Sequence, residues 1–75
     1  MNYSPRVATE VRVEMVRQRV TVSQLSQATN IPPSRLHRRF NGSTSFDTDE
    51  LEVIAGALNI AASELVRRAE EAGAA

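Results

Sequence analysis

Apolar residues recur along this chain at intervals of three and four, the repeat of a helix that buries one face, so an all-α chain is expected. Val7, Val11 and Met15 follow at intervals of four, with Ala8 and Val16 beside them, and this stripe predicts a first helix ending near Arg19. Ser4-Pro5 is expected to open it, the serine as N-cap and the proline at the first helical position, where its missing N–H is not needed. Thr21-Val22-Ser23-Gln24 has the spacing of a capping box and starts a short second helix. Leu25 and Ala28 are expected to point inward. That helix stops at Thr29-Asn30, because asparagine tolerates the left-handed backbone that ends helices.

Ile31 then returns to the core, and Pro32-Pro33 sets the backbone for a third helix from Pro33 to Phe40, ended by Asn41-Gly42. Ser43 to Phe46 is a polar loop with one apolar plug. Asp47-Thr48-Asp49-Glu50 is a second capping box, with carboxylates that suit the positive end of a helix, so the fourth helix opens near Thr48. Its apolar face is Leu51, Ile54, Ala55 and Leu58. Asn59 breaks the run and Ile60 turns the chain back inward. The fifth helix is expected from about Ala62 to Ala72, burying Leu65 with Val66 or Ala69, and fraying into Gly73-Ala74-Ala75. Five helices in 75 residues must share one hydrophobic cluster, so residues 1–75 are expected to form a single compact domain.

Charge adds what periodicity does not. The net charge is zero, yet residues 1–42 hold seven arginines against two glutamates, +5, while residues 43–75 hold two arginines against seven acids, −5. A molecule polarised in this way presents its basic half to a polyanion. All nine basic residues are arginine, which a GC-rich genome explains more simply than selection for bidentate chemistry. With no cysteine and a single histidine, His37, neither a disulfide framework nor a metal site is expected, and no cofactor. No apolar run suits a signal sequence or a bilayer crossing, so cytoplasmic residence without membrane contact is expected. An enzyme is not expected either, nor a small-molecule substrate. Ser34 has no carboxylate-oriented histidine partner, and His37 on the same short helix cannot supply a triad.

The second helix, its turn and the third helix occupy residues 21–42, the length of a helix-turn-helix unit. At about 100° per residue, Leu36 and Phe40 define the inward side of the third helix. Ser34, Arg38 and Asn41 then face outward, with Arg35 and His37 flanking them. Arg39 falls nearer the core, its stem along apolar surface and its guanidinium within reach of a phosphate or a carboxylate. Such a face suits the phosphates and base edges of double-stranded DNA.

The string TVSQLSQATNIPPSRLHRRFNG, followed by LEVIAGALNIAASEL, resembles the phage Cro and lambda-repressor class of helix-turn-helix proteins, the XRE type, over about residues 6–68. The resemblance implies a five-helix, lambda-repressor-like fold that binds operator DNA, usually as a homodimer, and reads bases from the start of the third helix. Carried over by position, it implies base contacts at Pro33, Ser34 and Arg38, with Arg35 joining them if the helix tilts. It implies phosphate contacts at Asn41 and at the start of the second helix, Thr21, Val22 and Ser23. His37 and Arg39 complete the expected phosphate set.

Three departures stand out. Pro33 replaces a hydrogen-bonding reader and leaves only apolar contact there; Val22 replaces a phosphate-holding glutamine, leaving backbone amides to serve; Met15 and Phe40 replace an arginine and a glutamate that join the first and third helices. Truncating Phe40 to alanine is expected to cost about 3 to 5 kcal/mol by leaving a cavity, enough to unfold a domain this small. The function implied is a sequence-specific transcriptional regulator, a repressor or Cro-like protein of phage or prophage type or an antitoxin, acting at the nucleoid of a bacterial host. The alternative is a protein-interaction module that keeps the scaffold and grips an acidic protein, a reading that the zero net charge supports.

Overall fold

The computed structural model describes residues 4–74, and five helices account for most of them: α1 (Ser4–Gln18), α2 (Val22–Thr29), α3 (Pro33–Phe40), α4 (Thr48–Ala57) and α5 (Ala62–Ala74). No strand occurs among the described residues, as the sequence pattern predicts. No helix among them is long and apolar enough to cross a membrane. The first helix begins at Ser4, one residue earlier than its proline suggests, so the capping position lies outside the described residues. The last helix continues to Ala74, two residues past the expected end.

Local chemistry sets most of the helix ends. In the α2 box the Thr21 hydroxyl accepts from the Gln24 N–H at 3.1 Å while Gln24 Oε1 accepts from the Thr21 N–H at 2.9 Å. The α4 box repeats this with Asp47 and Glu50, at 2.7 and 3.1 Å. At the other ends the backbone turns left-handed at Arg19, Asn30, Gly42 and Asn59. Three of these turns close in the same way. The N–H of Val20, Ser43 and Ile60 reaches back to the carbonyl of Met15, Arg38 and Ala55, which satisfies a carbonyl left over at the helix end. Val20 and Ile60 then pack against the core. Arg19 is the surprise, since a side chain with a Cβ rarely takes that conformation and no glycine or asparagine marked the position.

Every helix supplies the core. Val11 of α1, Leu25 of α2, Leu36 of α3, Ile54 of α4 and Leu65 of α5 are at most 1% exposed, with Leu58 fully buried just past α4. The broadest packing is between α1 and α5, while α3 rests on α1 and α2. Two inward assignments change. Val16 is 77% exposed, because nine residues beyond Val7 the helix has turned half a revolution from the buried stripe. Ala28 is exposed and Thr29 takes the interior position, four residues from Leu25. The Thr29 hydroxyl is satisfied there, donating to the Leu25 carbonyl at 2.8 Å and accepting from the Ile31 N–H at 3.3 Å. In α5 the open choice falls to Ala69, fully buried beside Leu65, with Val66 only half-buried.

The packing also recruits ions. Glu14 of α1 is buried and accepts from Arg68 of α5 at 2.8 Å and from Gln18 at 2.7 Å. The same Gln18 nitrogen donates to the Leu58 carbonyl at 2.7 Å, which ties α1 to the end of α4. These donors, Arg68 first, hold the Glu14 carboxyl below its usual range against the opposing effect of burial.

Two outcomes follow from this packing. Phe40 keeps part of its ring in solvent, although it packs on the core and meets Phe46 edge to face at 5.8 Å. Phe40→Ala therefore loses about 2 to 3 kcal/mol, less than full burial implies and less than Leu36→Ala at about 3 to 4 kcal/mol; urea melts that reverse this order contradict the packing. A carboxyl whose folded pKa is lowered stabilises above its ordinary value of 4.5 and loses that contribution as pH falls through the folded value. Melting temperature should thus fall below about pH 4.5, and less steeply in Glu14→Gln. Identical pH slopes in the two proteins would refute that role for Glu14.

Candidate nucleic-acid interface

An eight-residue helix holds no stable shape in water by itself, so α3 depends on what lies behind it. Leu36 is its fully buried anchor. Pro33 occupies the first helical position, and the Arg35 and Leu36 N–H groups close the first turn on the Pro32 carbonyl at 3.0 and 3.1 Å. The turn from α2 is braced from within. The Ser26 hydroxyl donates to the Ile31 carbonyl at 2.7 Å, and Asn30 takes the left-handed conformation between the two helices.

With Leu36 inward, Pro33, Ser34, Arg35, His37, Arg38 and Asn41 all lie exposed. Among the described residues no carboxylate pairs with Arg38. Asn41 uses its carbonyl oxygen to accept from the Ser43 N–H at 3.0 Å and the Ser43 hydroxyl at 2.7 Å, which leaves its NH2 as the outward donor. At the start of α2, Thr21 and Ser23 are exposed, whereas Val22 is half-buried and packs on the core. Val22 can therefore offer an anion only its backbone N–H.

Arg39, for which a phosphate contact is expected, is bonded within the fold. Its Nε and Nη2 donate to the two oxygens of Glu50, each at 2.9 Å, and its Nη1 donates to the Thr44 hydroxyl. The forked hydrogen bonds raise the Arg39 pKa and hold the Glu50 carboxyl below its usual range. Of the two destinations open to that guanidinium, carboxylate or phosphate, the fold uses the carboxylate. Sequence reading treats Glu50 only as a cap and misses this second bond, since nothing local signals a partner eleven residues away.

Arg12 is a second residue the pattern misses. Its guanidinium carbon lies 5.7 Å from the centre of the Phe40 ring, and with Val16, Thr21 and Val22 it lines a shallow groove. At the opposite end, Arg67 binds Glu64 and Glu71, and Arg68 binds Glu64 and Glu14. Arg67 first, then Arg68, pulls the Glu64 carboxyl down to about 2. The arginines of the acidic half are thus neutralised by carboxylates, and ion pairs of Arg68 with Glu14 and of Arg35 and Arg39 with Glu50 join the +5 and −5 halves of the sequence.

The profile of the Cro/C1-type HTH DNA-binding domain matches residues 10–71, from within α1 to within α5. The chain belongs to this family. Among solved structures it is similar to the clp gene regulator ClgR from Corynebacterium glutamicum, with a TM-score of 0.91 over 99% of this chain and 79% of that one. Identity is 18%, and the likeness is one of fold. No curated protein matches the chain.

As a Cro/C1-type domain, the chain has α2 and α3 joined by a short turn at Asn30, with α1 packed on α3 and α4 on α2. Its departures from the family pattern now have structural content. Met15 is buried and Phe40 half-buried where the resemblance implies an ion pair, and Arg12 lies over the Phe40 ring. A partly buried ion pair is present elsewhere, between Arg39 of α3 and Glu50 of α4.

Proposed function

We propose that this chain is a sequence-specific transcriptional regulator, a repressor or Cro-like protein of phage or prophage type, that inserts α3 in the major groove of operator DNA. The observation that carries this is Arg38, exposed and without a carboxylate partner among the described residues, on a helix fixed from behind by Leu36. In this reading Arg38 takes guanine O6 and N7 in a bidentate contact. Arg35 assists at a neighbouring base, Ser34 contributes a hydroxyl, and Pro33 meets a thymine methyl. The start of α2 at Thr21, Val22 and Ser23, together with His37 and the Asn41 amide, grips the phosphates and sets the register.

Binding is as a homodimer on a two-fold site in the bacterial cytoplasm, and occupancy of the operator blocks or recruits polymerase without any covalent step. The similar structure, ClgR, is itself a gene regulator, which agrees with this role. Of the apolar residues Leu65, Val66, Ala69 and Ala72 along α5, Leu65 and Ala69 are consumed by the core, so a dimer contact there would use Val66 and Ala72.

Selection of bound sites from a random duplex pool, followed by fluorescence anisotropy, tests the proposal. A two-fold symmetric consensus is expected, and about 4 to 6 phosphates per protomer give a slope of log K against log salt of about −4 to −5. Absence of binding to any duplex at low salt would instead favour a protein partner. Arg38→Ala should weaken the selected site by about 1 to 3 kcal/mol and relax preference at one base position. Equal losses on selected and random DNA would remove Arg38 from base reading.

A further inference from the structure

Three demands meet on one carboxylate. Glu50 caps α4 through the Asp47 N–H, holds the fork of Arg39, and lies 3.9 Å from Nη1 of Arg35. Arg35 and Arg39 are four residues apart and so share a stripe of α3, next to the face of Ser34 and Arg38. The two arginines differ in freedom. The Arg39 side chain is 15% exposed and bound at both oxygens, whereas that of Arg35 is 51% exposed and beyond hydrogen-bond distance. No Cα of α3 comes within 8 Å of one in α4, so this side-chain bridge spans a gap that the backbones do not close.

We propose that Glu50 is a positioning residue, which keeps Arg39 off the DNA and biases Arg35, so that Arg38 is the one unrestrained arginine on the reading helix. The inference rests on α3 being that helix. A phosphate competing for Arg39 would have to leave behind a largely buried carboxylate stripped of its forked partner, and such an uncompensated charge is costly. Arg39 therefore stays where it is when DNA approaches. A cation that binds any phosphate adds affinity for every sequence alike, so withholding one lowers random and cognate binding by about the same factor and leaves the base contacts of Arg38 a larger share of the total. For Arg35 the attraction is a weak tether across 3.9 Å, which a guanine edge can displace.

Glu50→Gln tests this with little damage to the cap, because glutamine at the third helical position can still accept from the Asp47 N–H. The probes are a random duplex of about 20 base pairs, roughly two helical turns, and a duplex carrying the selected site, each titrated over a salt series with the full 75-residue chain. For Glu50→Gln the slope of log K against log salt should steepen by about 0.9, one added phosphate contact, on the random and the selected duplex alike. The steepening should vanish in Glu50→Gln/Arg39→Met. Arg39→Met alone should leave the native slope unchanged, which is informative even if the Glu50 variants fail to fold. An unmoved slope in Glu50→Gln overturns the proposal, as does a steepening that persists in the double variant or a shallower slope in Arg39→Met. A merely structural Glu50 would lower the melting temperature and leave the slope alone. If Arg38→Ala selectively weakens the selected site while the Glu50→Gln slope stays put, only this inference fails; if the native chain shows no preference for any duplex, the reading of α3 falls with it.

Discussion

Burial of Leu36 is the constraint on which the remainder of this domain depends. The helix that carries it is eight residues long and cationic at its C-terminal end, too short to persist on its local caps alone, and nothing local fixes its rotation. One fully buried side chain sets the rotation of the helix about its axis, and that rotation decides which arginines face outward. The surrounding structure can be understood as the means of holding Leu36 still. Hydrogen bonds from Ser26 and Thr29 brace the turn before α3, α1 and α2 supply the surface beneath it, and the Phe40–Phe46 contact steadies its far end.

Electrostatics is organised around that helix rather than spread evenly. A chain of zero net charge can still present a cationic face if carboxylates elsewhere bind the arginines outside it, and Glu14, Glu50, Glu64 and Glu71 are taken up in such pairs. Glu64 and Glu71 neutralise Arg67, while Glu14 and Glu64 neutralise Arg68 at the α1–α5 contact. Glu50 disposes of Arg39. Arg38 is exposed without such a partner among the described residues. The buried and half-buried ion pairs also do something an apolar contact would not, because each carboxylate accepts bonds only from donors in particular directions and so selects one arrangement of its arginines.

Much of this was legible in the residues alone because it is local. Both capping boxes, the left-handed Asn30, Gly42 and Asn59 and the proline-led start of α3 depend on bonds that span a few residues, and the sequence contains both partners of each. The outward set on α3 was legible for a similar reason, since one buried leucine and a fixed rotation per residue define it. What the pattern misassigned were choices between neighbours on a helix shoulder. Whether Ala28 or Thr29 turns inward, or whether Val16 belongs to the stripe, depends on the direction from which the next helix approaches.

The same distinction separates the two arginines at the end of α3. Helical periodicity puts Arg38 outward whatever the rest of the chain does, because its position follows from Leu36 two residues before it. Periodicity brings Arg39 to the shoulder and no further; there its guanidinium can serve a phosphate or a carboxylate. Only the packing of α4, which delivers Glu50 from eleven residues away to within 2.9 Å, makes that choice. Bonds whose partners lie within one turn of chain are written in the order of residues, whereas a bond between helices whose backbones never come close exists only once all five have assembled.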